Sequence, residues 1–436
     1  MSPLLDMVAR LRGSGPHRQV PGRSRQRYQL LGVPVLLALV GCAGLRRNAV
    51  AEHLADSAQI AGYTGIRSWG DEFSEVFQAS LIRSFSEERP GDFPRESDGS
   101  RTYHALALSA GGSDGAFGTG LLCGWSESDS RPPFKLVTGV STGALIAPFA
   151  FVGSSRDHSL REIYTSISQA DVVEWRAFWN WFTSDSIGDP KPLAKLLRRY
   201  IDAILLKQVA AAHLAGRRLY VGTTNLDAQR LVIWDLGAIA TSGQPDALQL
   251  FRDVLMASAA VPVLFPPTYI EVEVQGQRYD EMHVDGAVRQ QLIAPFAVLD
   301  GIGAAQEAGL SPTQVRAVLY VVRNGPIHRR WQPTAPRTTA IAQRALATMT
   351  NTMAVQEIYR AFSVAKKRGV EFRMSAIPET FRPSFEAEFD RVEMNRVFDL
   401  GYQTGLTGST WEHTPANEVL GSGTREAATW TAGDDE

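Results

Sequence analysis

The chain has 436 residues, of which 44% are hydrophobic and 21% charged, so it can bury a sizeable core and is not disordered throughout. The formal net charge is −2 without a long basic block, which argues against nucleic acid as a partner. Its two cysteines, Cys42 and Cys123, exclude a disulfide-dense scaffold and a four-cysteine zinc site.

The amino terminus is organised like a secretory signal. Residues 1–41 carry six arginines and one acid, which leaves a net charge of −7 on the remainder. The arginines precede eleven apolar residues, 30–40, whereas a bilayer-spanning helix needs about 20. The sequence Leu39-Val40-Gly41-Cys42 then resembles the bacterial lipobox, in which the cysteine is lipidated and becomes the mature amino terminus. We predict a lipoprotein signal peptide over 1–41 and lipidation at Cys42; the alternative is an apolar helix ending in an unmodified cysteine.

Residues 42–100 are predicted to be a tether and an N-terminal extension. Residues 43–60 form the solvated tether, and a turn and a short helix reach to about residue 85. A polar run, 86–101, follows. From residue 104 onwards, apolar runs of strand length alternate with helix-length segments, which is typical of a mostly parallel sheet with helices on both faces.

The predicted elements follow in chain order. The strands are predicted at 104–109, 134–138, 218–223, 230–234, 269–274, 278–284, 315–323 and 370–375, with 269–274 and 278–284 as a hairpin. The helices are predicted at 116–125, 142–152, 158–182, 192–213, 247–259, 338–368 and 385–404. The tail after Trp411 is predicted to be disordered.

Two pentapeptides have the Gly-x-Ser-x-Gly pattern of a nucleophile elbow, in which a serine sits on a sharp turn between a strand and a helix. They are Gly139-Val140-Ser141-Thr142-Gly143 and Gly111-Gly112-Ser113-Asp114-Gly115. Periodicity does not choose between them, because both lie between a predicted strand and a predicted helix. A loop of small residues such as 110–115 can also present backbone N–H groups to an oxyanion.

A nucleophilic serine needs a base. His328 and His413 are the candidates for a Ser-Asp-His arrangement, although both lie in breaker-rich or tail sequence. Asp285-Gly286, at the end of a predicted strand, offers an aspartate that burial can convert into a base. Read alone, an Asp-Gly pair is most often a turn.

Taken together, Gly111-Gly112-x-x-Gly115-Ala116, Gly139-x-Ser141-x-Gly143 and Asp285-Gly286 resemble, in order and spacing, the motifs of patatin-like phospholipases. Two intervening stretches, 223–226 and 257–267, resemble further signatures of that family. The resemblance covers about residues 101–300. It implies Ser141 as the nucleophile, Asp285 as its base without a catalytic histidine, and an oxyanion hole. The implied oxyanion-hole residues are Gly111, Gly112 and Ser113, and the implied elbow and turn glycines are Gly115, Gly139, Gly143 and Gly286.

The same resemblance implies an α/β fold: a three-layer α/β/α patatin-like fold with a mostly parallel central sheet and N- and C-terminal extensions. We accordingly predict a patatin-like catalytic domain over 101–300. Strands and helices packed on the catalytic core follow over 301–410, and a disordered tail over 411–436.

The function implied is that of a serine lipid acyl hydrolase, a carboxylic ester hydrolase of the phospholipase or esterase kind. Its partners are expected to be membrane lipids or fatty-acyl esters. The expected location is the bacterial cell envelope, lipid-anchored through Cys42 at the outer membrane and facing the periplasm. No cofactor is expected, and no metal, because no His, Cys, Asp or Glu cluster has metal-ligand spacing. The alternatives are a catalytically silent lipid-binding envelope lipoprotein and an acyltransferase that uses the same dyad.

Four other features receive ordinary interpretations. His283 is predicted to be a packed or surface histidine, and Cys123 a core thiol. The aromatic-rich segment 175–182 is either core or a lipid-facing lid. The acidic residues within 386–393 are predicted to form a solvated helix face.

Overall fold

A computed structural model of the chain describes residues 47–89, 91–176, 184–294, 300–328, 331, 333–384, 388–408 and 411–415. The strands are β1 (Arg67–Trp69), β2 (Arg101–Leu108), β3 (Phe134–Val140), β4 (Glu174–Trp175), β5 (Gly188–Asp189), β6 (Arg218–Asn225), β7 (Arg230–Asp235), β8 (Thr268–Val274), β9 (Gln277–Asp285), β10 (Val315–Pro326) and β11 (Glu371–Ile377). The helices are α1 (Glu75–Ser86), α2 (Gly115–Glu127), α3 (Thr142–Val152), α4 (Asp157–Ser166), α5 (Gln169–Val172), α6 (Lys191–Tyr200), α7 (Ala203–Leu214), α8 (Leu236–Thr241), α9 (Ala247–Ser258), α10 (Gly301–Glu307), α11 (Thr338–Lys367) and α12 (Arg391–Thr407).

Within the described ranges the central sheet has nine strands, in the order β1-β7-β6-β3-β2-β10-β11, with β9 also paired to β6 and β8 to β9. Its middle strands β6, β3, β2, β10 and β11 are parallel to one another, so their carboxyl ends share one edge of the sheet. We call this edge the catalytic edge, because the predicted nucleophile Ser141, which follows β3, and the predicted base Asp285, which ends β9, both lie there. The pairing confirms the predicted mostly parallel centre; β1, β7, β8 and β9 are antiparallel additions.

Helices cover both faces of this sheet. Along β2, Leu106 and Leu108 belong to the core cluster formed with α2, α3 and α12. Ala107, which points to the opposite face, packs in the cluster formed with α11. This alternation along a strand places one helical layer on each side, as the predicted three-layer arrangement requires.

The hairpin predicted from alternating residues is present. Strands β8 and β9 pair antiparallel in register from Val274–Gln277 to Thr268–His283. The two residues between them, Gln275 and Gly276, both have positive φ, as a type I′ hairpin turn requires.

Helices α2 and α12 approach one another closely, because glycines line their contact. A Cβ atom on Gly120 or Gly124 would overlap main-chain carbonyls of α12, and one on Gly401 or Gly405 would overlap those of α2. The Gly-x-x-x-Gly spacing in each helix keeps these glycines on one face. The last helix begins at Arg391 rather than at the predicted 385, because Asp390 caps it by accepting the N–H of Glu393. Glu388 and Asp390 therefore precede the helix and do not form the predicted solvated helix face.

Two predicted single helices are interrupted. Within 158–182, α4 ends at Ser166, and Ser168 then starts a new turn through a capping box with Asp171. Within 192–213, Asp202 caps α7 by accepting the N–H of Leu205. In both cases a side chain that satisfies the first backbone N–H groups of a helix marks a start that hydrophobic periodicity does not reveal.

The prediction of a solvated tether over 43–60 is wrong for the residues described. Arg47 forms ion pairs with Asp227 and Asp280, and Gln59 exchanges main-chain hydrogen bonds with Glu273 of β8. Ile60 is buried in the core. The cause is the free outer edge of the β8–β9 hairpin, whose backbone groups and acids bind this segment.

Several predictions lie outside the described residues. They concern the signal peptide, Cys42, the aromatic residues 178–182 and the tail beyond residue 415. The predicted disorder is wrong for the described start of the tail: Glu412 exchanges main-chain hydrogen bonds with Met374 of β11, and Trp411 packs on the rings of Trp125 and Tyr320. Within the part of the chain that the structure describes, no helix has the length and apolar character needed to cross a bilayer.

Candidate active site

The turn at Ser141 joins the fully buried strand β3 to α3. Ser141 has φ 55° and ψ −124°, a conformation that residues with a Cβ rarely adopt. Glycine is required on both sides. A Cβ on Gly139 would overlap the carbonyl of Gly143, and a Cβ on Gly143 would overlap that of Leu108. The pentapeptide is therefore an elbow that exposes the serine hydroxyl at the catalytic edge.

Asp285 lies next to Ser141 because β3 and β9 pair with successive parts of the same edge of β6. Val140 of β3 pairs with Gly222, and Asp285 of β9 pairs with the next residue, Thr223. The two strands run toward each other and end at the same place. The Ser141 hydroxyl donates a hydrogen bond to Oδ2 of Asp285 at 2.6 Å, and Oδ1 accepts the N–H of Ala287 at 2.8 Å.

Both partners are buried, with Ser141 6% and Asp285 2% exposed. Burial raises the pKa of the Asp285 carboxyl to about 7, against the opposing effect of the hydrogen bonds from Ser141 and Ala287. A carboxylate of that basicity, in contact with a hydroxyl, can accept its proton at neutral pH. Among the described residues, no histidine is hydrogen-bonded to Ser141.

Ser258 holds the main chain on both sides of this contact. Its hydroxyl accepts the N–H of Ser141 at 3.0 Å and donates to the carbonyl of Gly222 at 2.7 Å. Two residues later, the carbonyl of Ala260 accepts the N–H of Asp285. The signature stretch 257–267 thus connects the nucleophile to the aspartate, a role that the sequence pattern did not reveal.

The loop Gly111–Asp114 lies beside the elbow. Gly115, which follows the loop, has no room for a Cβ because the Thr142 side chain lies against it. Gly112 has φ 56°, in the left-handed region that favours glycine. The N–H groups of Gly111, Gly112 and Ser113 have no acceptor among the described residues, so they are available to a ligand. The Ser113 hydroxyl donates to Oε2 of Glu388 at 2.9 Å. Of the two rival serines, the structure brings only Ser141 to Asp285.

Sequence reasoning missed Arg323 and Asn324, which end the core run of β10 and hold the start of this loop. Asn324 donates through Nδ2 to the carbonyl of Ser109, and Arg323 through Nη1 to that of Ala110, each at 2.7 Å. A Cβ on Gly111 would overlap the Asn324 carbonyl. A polar pair at the carboxyl end of an otherwise apolar strand is the signal that could have identified them.

Glu357 of α11 was missed as well. Its Oε2 accepts the N–H groups of Gln291 and Leu292, both at 2.8 Å, and the Gln291 carbonyl accepts the N–H of Ala110. Burial raises the pKa of the Glu357 carboxyl to about 7. One carboxylate thus secures the segment after Asp285 and, through Gln291, the oxyanion loop.

His283 is a packed histidine, as predicted, within a buried chain of hydrogen bonds. Trp234 donates to the Thr223 hydroxyl, which lies 2.9 Å from Nδ1 of His283. Against the opposing effect of burial, hydrogen bonds from His283 and Arg67 lower the pKa of the Glu281 carboxyl to about 2, so it only accepts. The neutral ring of His283 therefore carries its proton on Nε2, 3.0 Å from Glu281, and Nδ1 accepts from the Thr223 hydroxyl. Burial lowers the pKa of His283, so it stays neutral.

The other predicted residues lie apart from the dyad. Cys123 is buried, and burial raises the pKa of its thiol to about 12, as fits a core residue. His328 and His413 face Glu379 and Glu371 at 3.8 and 3.9 Å. Across the described ranges, no group of three or more His, Cys, Asp or Glu side chains is placed to hold a metal ion.

A cavity of about 310 Å³ lies elsewhere and is lined in part by Ser80, His213, Asp235 and Ser242. His213 Nδ1 is 3.7 Å from Asp235 Oδ1. Neither serine is hydrogen-bonded to this histidine: Ser80 accepts from Arg218, and Ser242 donates to a main-chain carbonyl. This cavity therefore lacks an activated nucleophile.

The comparison with protein families agrees with the motifs. Residues 106–298 match the family model described as Patatin-like phospholipase. Among solved structures, VipD from Legionella pneumophila aligns with TM-score 0.30 and 13% identity, covering 72% of this chain and 69% of that one. Human GIVD cytosolic phospholipase A2 aligns with TM-score 0.27 and 11% identity, and the alignment covers 74% of this chain and 53% of the phospholipase chain. A search of curated proteins found no match.

Proposed function

Since residues 106–298 match the family model described as Patatin-like phospholipase, we propose that the chain is a serine lipid acyl hydrolase that works with a Ser141–Asp285 dyad. The observation that carries the proposal is the 2.6 Å hydrogen bond from the Ser141 hydroxyl to the buried carboxyl of Asp285. Burial supplies the basicity that would otherwise come from a histidine.

In the first half of the reaction, Asp285 accepts the Ser141 proton while Oγ attacks the carbonyl carbon of a fatty-acyl ester. The negative charge that develops on the carbonyl oxygen is stabilised by the N–H groups of Gly111, Gly112 and Ser113. Removing one such donor typically slows acyl transfer by about 10²–10³-fold. The tetrahedral intermediate collapses, protonated Asp285 gives its proton to the leaving alcohol, and an acyl-enzyme remains.

In the second half, Asp285 removes a proton from water, which attacks the acyl carbon. Collapse of the second tetrahedral intermediate releases the fatty acid, and Ser141 Oγ regains its proton from Asp285. A single carboxyl group therefore acts alternately as base and acid, which a pKa near 7 permits in both directions.

Exposed aliphatic residues close in sequence to the dyad and to Ala260 support an acyl substrate. Val288 follows Asp285 by three residues and is 44% exposed, and Val261 and Val263, just beyond Ala260, are 42% and 68% exposed. Exposed aliphatic side chains next to a nucleophile favour a substrate with a hydrocarbon part.

We also propose that Cys42 carries the lipid that anchors the enzyme to the bacterial envelope, at the outer membrane facing the periplasm. The support is the arginine-rich head, the eleven apolar residues and the lipobox-like Leu39–Cys42. A Cys42→Ser variant should lose incorporation of radiolabelled palmitate and leave the membrane fraction. Unchanged incorporation would rule out this anchor.

The decisive experiment is labelling with a fluorophosphonate, which reacts with activated serines. The parent chain and Ser113→Ala should be labelled at Ser141, and Ser141→Ala should be unlabelled and inactive on chromogenic fatty-acyl esters while still folded. His328→Ala and His413→Ala should keep activity, since neither contacts the dyad. An unlabelled parent would favour a catalytically silent lipoprotein, and acyl transfer to an added alcohol in preference to water would indicate an acyltransferase.

A further inference from the structure

Helix α11 has two halves that differ in environment. Its second half packs on the sheet through Ile358, Ala361, Phe362 and Ala365, which belong to the core, and Ala354 is buried as well. From residue 340 to 350 the described side chains are exposed or half-exposed, without a buried one among them. The first half of the helix therefore projects from the body of the protein.

This projection lies at the catalytic edge. Glu357 binds the segment next to the oxyanion loop, whereas the end of the helix leads into the first residue of β11, at the opposite edge. Residues before Glu357 consequently extend beyond the catalytic edge. At about 1.5 Å per residue, Met349 lies about 12 Å and Ile341 about 24 Å past Glu357.

The projecting half carries an apolar face that the fold does not use. Ile341, Leu346 and Met349 are 55%, 62% and 62% exposed, and Trp331, in the loop before the helix, is 88% exposed. At about 100° per residue, the three helical side chains fall within an arc of about 140°. Ala354 and Ile358, which are buried, lie on the opposite side of the helix axis from this arc. The apolar face of the first half is therefore not a continuation of the buried face of the second half.

The charge along this segment of the sequence has one sign. From Asn324 to Gln356 the sequence contains no aspartate or glutamate, whereas it contains Arg329, Arg330, Arg337 and Arg344. A helix with an apolar face, basic flanks and an exposed tryptophan has the composition of an interfacial membrane-binding helix.

We propose that Trp331, Arg337, Ile341, Arg344, Leu346 and Met349 form a docking surface that seats the catalytic edge on an anionic phospholipid membrane. The apolar side chains enter the acyl boundary, and the arginines bind lipid phosphates. The proposal rests on the proposed function in one respect, that docking brings Ser141 to its lipid substrate. A second copy of the chain is a poor occupant, because the stretch from Asn324 to Gln356 contains arginines and no acid of its own, and pairing it with itself brings like charges together.

A local reporter tests the contact in the full chain. A Cys42→Ser background leaves Cys123 as the native thiol, and that residue is buried. Met349→Cys and, as control, Leu214→Cys are labelled with an environment-sensitive nitrobenzoxadiazole dye. Leu214 is equally exposed, at 65%, but lies just before β6 at the opposite edge. Phosphatidylglycerol vesicles should raise emission at position 349 at least twofold and leave position 214 unchanged. An equal response at both positions, or no response at 349, would overturn the proposal.

Activity gives the second measurement. The Ile341→Gln/Leu346→Gln/Met349→Gln variant should hydrolyse phosphatidylglycerol vesicles at least tenfold more slowly than the parent and a soluble short-chain ester within twofold of it. The matched control, Ile204→Gln/Leu214→Gln, should hydrolyse both the vesicles and the soluble ester at the rate of the parent. Equal losses on both substrates, or a dimer in light scattering that the triple variant dissociates, would contradict membrane docking. If the parent is neither labelled by fluorophosphonate nor active, the proposed function fails, while the dye still decides the docking.

Discussion

Asp285 sets the pH at which the proposed dyad can work. Burial raises the pKa of its carboxyl to about 7, and only the ionised form accepts the Ser141 proton. We expect kcat/KM to rise with pH through about 7 with the slope of one proton and to level off above it. Glu357 is a second group with a pKa of about 7, so the profile is measured in Glu357→Gln as well. Loss of the acidic limb in that variant would assign it to Glu357 instead.

The same buried carboxyl costs the folded protein stability at high pH. Because its folded pKa lies above the unfolded value, Asp285 stabilises the protein below about pH 4, and this stabilisation is lost as pH rises to about 7. Asp285→Asn, which cannot ionise, should therefore be inactive but more stable than the parent by about 2 kcal/mol or more at pH 8. Urea unfolding at pH 4 and pH 8 measures this, and an equal difference at both values would contradict it.

At the residue scale, local motifs identified the residues that define the proposed chemistry. Glycines are needed beside Ser141 and Asp285 for steric reasons, so the pattern around them is short and visible in the sequence. Ser258, Asn324 and Glu357 were missed because each acts through a side-chain to main-chain hydrogen bond between residues far apart in the chain. Such contacts leave no periodic signal.

At the scale of elements, α2 runs directly from the oxyanion loop, and α12 covers it through facing glycines. Gly401→Ala places a methyl group against the Phe117 carbonyl, which cannot move without disturbing α2. We expect a loss of about 2–3 kcal/mol in the free energy of unfolding, the usual cost of overpacking. Chemical denaturation measures it, with the exposed Gln403→Ala on the same helix as control. A loss no larger than that of the control would show that the helices can separate without cost.

Helix α11 contributes to the site through one side chain, Glu357. Glu357→Ala leaves two buried N–H groups, of Gln291 and Leu292, without an acceptor and loosens the segment that follows Asp285. We expect kcat/KM on a soluble ester to fall about 10–100-fold, mainly through kcat. Glu357→Gln keeps an acceptor oxygen and should restore most of the activity. If glutamine were no better than alanine, the charge rather than the hydrogen bonds would be responsible.

Element prediction succeeded where a long apolar or alternating run decides the structure, as in β3, α3 and the β8–β9 hairpin. It failed at helix starts within longer helical runs, as at Ser168 and Asp202. It also missed β1, a three-residue strand whose place depends on the free edge of β7. These features are decided by capping and by neighbours distant in sequence, which the periodicity of a single segment does not contain.

At the scale of the whole molecule, the sheet does not end where the family match ends. That match stops at residue 298. Strand β10, which lies beyond it, nevertheless pairs with the full length of β2, from Val315–Arg101 to Val322–Leu108. Residues 301–408 also supply Asn324 and Glu357 to the site and α12 to the back of α2. The proposed catalytic edge is therefore assembled from both halves of the chain.

A chain ending at residue 300 should consequently fail to form the site. It would expose the β2 edge, whose last three residues are wholly buried, and uncover the glycine face of α2. We expect aggregation in size-exclusion chromatography and no fluorophosphonate labelling at Ser141. The control is a chain ending at residue 415, which retains β10, β11, α11 and α12 and should be labelled like the parent. Parent-like labelling of the shorter chain would mean that residues 101–300 fold and align Ser141 with Asp285 unaided.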